Sequence, residues 1–143
     1  MLNRESELEV DDAAPSLAEL VEPGAHVLEG GPVQPAAVVV MAEFDDTGAA
    51  ATLVLDDVGF VAAEADFEAL PSAVRRVRVF AGLSGWGPGQ LEAELERDDW
   101  IVIPATPEDV FYEDAETLWS AVLERKGGQF ALVARMPDDP SLN

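Results

Sequence analysis

The stretch VRVFAGLSGWGPGQLEAEL, residues 77–95, sets four glycines (Gly82, Gly85, Gly87, Gly89) and Pro88 between a strand pattern and a helix pattern. Glycine reaches backbone angles closed to other residues and lets neighbouring groups approach, so the chain must turn a fixed corner here. Such a corner either packs tightly or holds a ligand against a helix N-terminus. The candidate residues are Gly82, Ser84, Gly85, Trp86, Gly87, Gly89 and Gln90, with a second glycine turn at Gly30, Gly31 and Pro32. The N–H groups of Gly89 and Gln90 are the natural anion donors. Against an anion stand three facts: GLSGWGPGQ matches neither the phosphate loop nor the dinucleotide pattern, no Lys is near, and Glu92, Glu94 and Glu96 follow directly. The reading therefore favours an architectural corner, with Trp86 packed over the loop and Gln90 bonding backbone groups.

Charge narrows the function classes. The chain carries 29 acidic and 8 basic residues, a formal net charge of -21, and no Lys or Arg lies between Arg4 and Arg75. A polyanionic half of this length repels phosphate backbones and anionic lipid, which disfavours DNA, RNA and membrane surfaces as partners. It suits a solvated acidic surface, or an acidic face for a basic protein partner. Because 48% of residues are hydrophobic, the 143-residue chain can still bury a core, and one soluble domain is expected. With no Cys, disulfides, thiolate nucleophiles and zinc-thiolate sites are excluded, and with His26 as the single histidine no imidazole cluster can form within the chain. His26 reads as a strand-edge residue. Ser84 lies outside any G-x-S-x-G elbow, which argues against a hydrolase. The Asp-Asp pairs at 11, 45, 56, 98 and 138 lack calcium-loop spacing and most read as turn residues, so neither metal nor cofactor is expected. No apolar run of membrane length and no signal-peptide pattern appear, so the chain is expected in the cytoplasm.

Along the chain, residues 1–4 read as a strand end and residues 15–21 as a short helix stopped by Pro23-Gly24. Strands are expected at 27–29, 37–44, 51–55, 58–61 and 76–83. The strands at 37–44 and 51–55, joined through Asp45-Asp46-Thr47-Gly48, read as an antiparallel hairpin, and 64–70 as a helix. Alternation puts Val77 and Val79 on one face of 76–83 and Arg76 and Arg78 on the other, with the three nearby arginines pairing with carboxylates. A helix at 89–97 and a strand at 100–103 would complete a parallel crossover. Thr106-Pro107-Glu108-Asp109 starts another helix; residues 115–126 form a longer one with Leu118 and Val122 inward and Trp119 as a third candidate. Residues 129–135 read either as a last short helix or, from their β-compatible residues, as extended chain, and 137–143 read as an extended tail. The fold class is mixed α/β, one largely antiparallel sheet flanked by helices.

These motifs together, FAGLSGWGPGQLEAEL followed by Trp100, GGPVQP at 30–35 and PDDPSLN at 137–143, resemble the YqgE/AlgH family of bacterial proteins over essentially the whole chain. The resemblance implies a single mixed α/β domain over 1–143, a bacterial cytosolic setting and a regulatory label. It transfers no catalytic residue onto this sequence. Members have a strand ending in Leu-Asn-Arg-Pro, whereas here Met1-Leu2-Asn3-Arg4 begins inside that motif and Glu5 replaces the proline. The chain is therefore expected to lack the family's N-terminal strands, leaving a sheet edge open to self-association. A noncatalytic regulatory or adaptor protein working through protein contacts is the expected function. A small-molecule or anion binder using Gly82 to Gln90 is the alternative, and a carboxylate-dependent enzyme comes third.

Overall fold

β-branched residues in 33–40 and the alternating VRVF of 77–80 build the two longest strands of the computed structural model, which describes residues 2–136. Six strands form one sheet: β1 (Arg4–Glu9), β2 (His26–Glu29), β3 (Val33–Phe44), β4 (Ala50–Leu55), β5 (Val58–Val61) and β6 (Val74–Leu83). Their spatial order is β1-β2-β6-β3-β5-β4. Only β2 and β6 run parallel, with Leu28 opposite Phe80 and Glu29 opposite Ala81; the other neighbours are antiparallel. The mixed, largely antiparallel sheet read from the sequence is thus the observed one.

Alternation along β6 divides the core into two layers. Val79 joins Val10, Leu17, Val27 and Val40 on one face, under the short helix α1 (Val10–Ala13) and the 3-10 segment Pro15–Leu20. Phe80 joins Leu28, Met41 and Val58 on the other, against Val110 and Phe111 at the end of α3 (Pro107–Val110) and Ala115 at the start of α4 (Ala115–Lys126). α4 seats Leu123 in the interior and leaves Leu118 and Val122 half-buried. Trp119 points outward at 54% exposure, so it is not a core residue. The chain continues into α5 (Gln129–Val133); the tail read at 137–143 lies outside the described residues.

Four local expectations are corrected. The first strand begins at Arg4 instead of ending there, because Asn3 takes a left-handed φ of 54° and Arg4 to Glu9 pair with β2. β3 does not pair with β4. The Asp56-Asp57 turn, with Asp56 at φ 50°, folds β4 back onto β5, and β5 takes the place beside β3. Residues 64–70 are turns instead of a helix: the Asp66 carboxylate accepts the Glu68 N–H at 3.0 Å, and only Leu70–Ser72 completes a 3-10 turn. Residues 100–103 join no strand, so there is no parallel crossover. After α2 (Gln90–Glu96), Asp98 at φ 56° turns the chain away from the sheet, and the ends of two α4 side chains satisfy the carbonyls instead. Lys126 Nζ donates to Val102 O at 2.8 Å and Arg125 to Pro104 O at 3.3 Å.

Candidate functional site

The two glycine turns singled out in the sequence meet in space. Val33 lies opposite Leu83 in the β3–β6 register, which carries Gly30 and Gly31 against the end of β6. Gly31 (φ 148°) and Gly82 (φ 72°) both use angles that disfavour side chains, and a Cβ on either would run into the other strand's backbone. Ser84 Oγ donates to Gly30 O at 3.2 Å, fastening the same contact. This explains the glycines at 31 and 82: two backbones touch where no side chain fits. Gly89, at φ 74°, precedes α2 in open space.

Beyond Ser84 the corner is organised by Glu94, whose place in the sequence marks it only as a charge opposing anions. Gln90 and Glu94 stand one helical turn apart on α2. Gln90 Nε2 donates to Glu94 Oε1 at 2.9 Å, and Gln90 Oε1 accepts the Gly87 N–H at 3.1 Å. The other oxygen, Glu94 Oε2, accepts both indole N–H groups, from Trp86 at 2.9 Å and from Trp100 at 2.8 Å. The rings meet edge to face with centroids 6.0 Å apart. These bonds, Trp100 foremost, then Gln90 and Trp86, hold the Glu94 carboxyl below its ordinary pKa of 4.5. The Gln90 N–H donates to Gly87 O at 3.0 Å, so it is already engaged within the corner.

The rings stay in solvent, Trp86 at 40% and Trp100 at 48% exposure, and are flanked in sequence by exposed Leu95, Ile101 and Val102. The corner thus presents fixed apolar surface whose polar edges are already bonded. No signal in the sequence pairs Trp100 with Trp86, because their proximity depends on how the chain leaves α2.

A second polar centre surrounds the arginines of β6. Glu43, 8% exposed, accepts Arg76 Nε at 2.7 Å and lies 3.3 Å from Arg75; Arg75 also pairs with Asp45 and Asp57. Arg76 continues to Glu108 at 2.8 Å and stacks on the Phe111 ring. Arg76 first of all, then Arg75, holds the Glu43 carboxyl below its ordinary pKa, against the opposing effect of burial. Arg78 departs from the expectation of a carboxylate partner: it is half-buried and donates to the main-chain carbonyl of Tyr112. His26 sits at the strand edge with Nδ1 2.8 Å from Ser6 O. Asp46 of the second Asp-Asp pair accepts the Gly48 N–H at 2.9 Å, as turn chemistry predicts, while Asp45 and Asp57 are drawn in by Arg75. Among the described residues no group of three or more His, Asp or Glu is arranged to hold a metal ion. Nor is any described helix long and apolar enough to cross a membrane.

Sheet and corner together define a single-sheet mixed α/β protein whose most distinctive surface is a carboxylate-pinned pair of tryptophans. The chain belongs to the AlgH-like family (DUF179), whose model matches residues 1–131. It is 43% identical over 150 residues to the UPF0301 protein SCO2948 of Streptomyces coelicolor, spanning 100% of this chain and 77% of that protein. A UPF0301 protein of Thermobifida fusca is 40% identical over 153 residues with the same coverage. Among solved structures, the crystal structure of protein DIP2367 from Corynebacterium diphtheriae superposes with a TM-score of 0.84 at 28% identity, covering 94% of this chain and 73% of that one. The solution structure of the AlgH protein from Pseudomonas aeruginosa gives 0.68 at 25% identity, covering 96% and 76%. Bacterial relatives and AlgH-like structures thus agree with the resemblance read in the motifs.

Proposed function

We propose that this chain is a noncatalytic regulatory or adaptor protein of the cytosol, acting through protein contacts made at the glycine corner. The observation carrying this reading is the Trp86–Glu94–Trp100 arrangement. Large aromatic side chains held rigid at the surface lose little conformational freedom on binding, and tryptophan is the residue type most enriched among interface anchors. Here the indole N–H groups are bonded to Glu94, so a partner can cover the ring faces without stranding a donor. The acidic surface around them supports a basic partner and disfavours nucleic acid.

The test compares affinity capture from a bacterial lysate by the wild-type chain and by the Trp86→Ala/Trp100→Ala variant, both checked for folding by circular dichroism. A specific protein retained by the wild type should bind the variant about 30-fold or more weakly, equivalent to removing a hot spot of about 2 kcal/mol. Equal retention by both chains, or no specific partner at any salt concentration, would refute the reading.

A further inference from the structure

β6 outruns its neighbour. β2 begins at His26, which the parallel register places level with Arg78, so residues 74–77 of β6 extend past the end of β2 while β3 covers their other side. Gly30 N–H donates to Ala81 O at 2.8 Å, which fixes the Ala81 main chain as facing β2. By the two-residue alternation of a strand, the Val77 N–H and C=O face the same way. Among the described residues, no strand lies there to receive them.

A cavity of about 560 Å³ opens at this point. Its lining takes Leu20, Val77 and Val79 from one face of the sheet and Leu28 and Phe111 from the other. One cavity reaches both faces only where the sheet itself is interrupted. The interruption is a slot along the β6 edge, with apolar side chains above and below and an open backbone ladder between them. That is the geometry by which a sheet takes up an additional strand.

Charge selects the occupant. Glu5, Glu19, Glu22 and Glu113 also line the slot, and none has an ion-pair partner among the described residues. Arg75 and Arg76 are engaged by Glu43, Asp45, Asp57 and Glu108, leaving Arg78, which Glu5 attracts electrostatically, as the cation facing four carboxylates. A second copy of a chain with net charge -21 would bring more acid to an acidic edge.

We propose that the slot beside Val77 binds an extended basic segment of a partner protein, which adds to β6 as a strand and places Lys or Arg side chains against Glu19 and Glu22 on one face and Glu5 and Glu113 on the other. This goes beyond the indole contact and shares no lining residue with Trp86 or Trp100, so either surface can fail its test without the other.

The test uses the full chain and two end-capped hexapeptides, one alternating lysine with valine and one alternating glutamate with valine. Binding is followed by fluorescence anisotropy, and main-chain protection by amide hydrogen exchange. The lysine peptide should bind, slow exchange at the Val77 amide by about tenfold or more, and weaken as salt is raised. The Glu19→Gln/Glu22→Gln variant, which removes two exposed charges outside the core, should bind it severalfold more weakly with an unchanged unfolding midpoint. Four outcomes overturn the proposal: no binding of the lysine peptide, equal binding of the glutamate peptide, binding without protection at Val77, or a peptide-free chain that doubles its mass with concentration while protecting Val77.

Discussion

Glu94 gathers three donors onto one carboxylate, and Gly31 and Gly82 bring two backbones into contact; each is a single residue type that nothing else replaces. Gly82→Ala should lower stability by about 1–3 kcal/mol in urea unfolding, since the added methyl is opposed both by the left-handed backbone and by the Gly31 carbonyl. Gly89→Ala shares the left-handed angle but has open space around it, so its cost should be limited to backbone strain, about 1 kcal/mol. Equal losses at the two positions would show that contact between the two glycine turns adds nothing. Glu94→Ala should release both indoles together, red-shifting tryptophan emission and lowering its anisotropy. Unchanged spectra would mean that the rings are held by packing alone.

Between elements, carboxylates act as joints. Glu43 ties β3 to β6 through Arg76 and Arg75. Asp109 ties α3 to α4, accepting the Thr106 N–H at 2.7 Å and both Arg125 Nη groups at 2.7 Å. Both carboxyl pKa values are lowered in the folded chain, Glu43 chiefly by Arg76 and Asp109 chiefly by Arg125. A group whose folded pKa is depressed adds stability that is fully present above its unfolded value and is lost as pH falls through the folded value. The contribution of Glu43 and Asp109 to stability should therefore be flat above the ordinary carboxyl values of 4.5 and 3.8 and decline below them. Glu43→Gln should flatten part of that decline and cost about 1.5–3 kcal/mol at neutral pH, read by urea titrations at several pH values. A stability difference between wild type and Glu43→Gln that is the same at pH 3 as at pH 7 would contradict this.

The elements themselves were legible where local chemistry decides them. Val77 and Val79 alternate with Arg76 and Arg78 as read, and Thr106-Pro107 opens α3 as its capping residues require. What failed depended on partners distant in sequence. Trp100 to Ile103 has strand composition, but the left-handed turn at Asp98 and the Lys126 bond to Val102 O hold it against α4, and the Asp56-Asp57 turn gave β5 the place that 51–55 was expected to take beside β3. The candidate site was half legible. Glycine content marked both turns, but nothing in their spacing revealed that Gly31 and Gly82 touch, or that Glu94 reaches back to bind Trp86.

Across the whole molecule, a net charge of -21 makes self-repulsion a general load on the fold. Raising sodium chloride from about 0.01 to about 0.5 M shortens the screening length from roughly 30 Å to a few Å. The melting temperature should therefore rise monotonically with salt, measured by differential scanning calorimetry. A fall would indicate that the Arg75 and Arg76 ion pairs outweigh the repulsion among the remaining acids.

β6 is the one strand joining the β1–β2 pair to the β3–β5–β4 trio. On the ribosome, β1 to β5 have no common sheet to enter until β6 has cleared the exit tunnel. Assembly of the sheet must wait for its central strand, the last of the six to be made, and a nascent chain arrested before residue 74 would carry two disconnected β fragments exposed to chaperones and proteases.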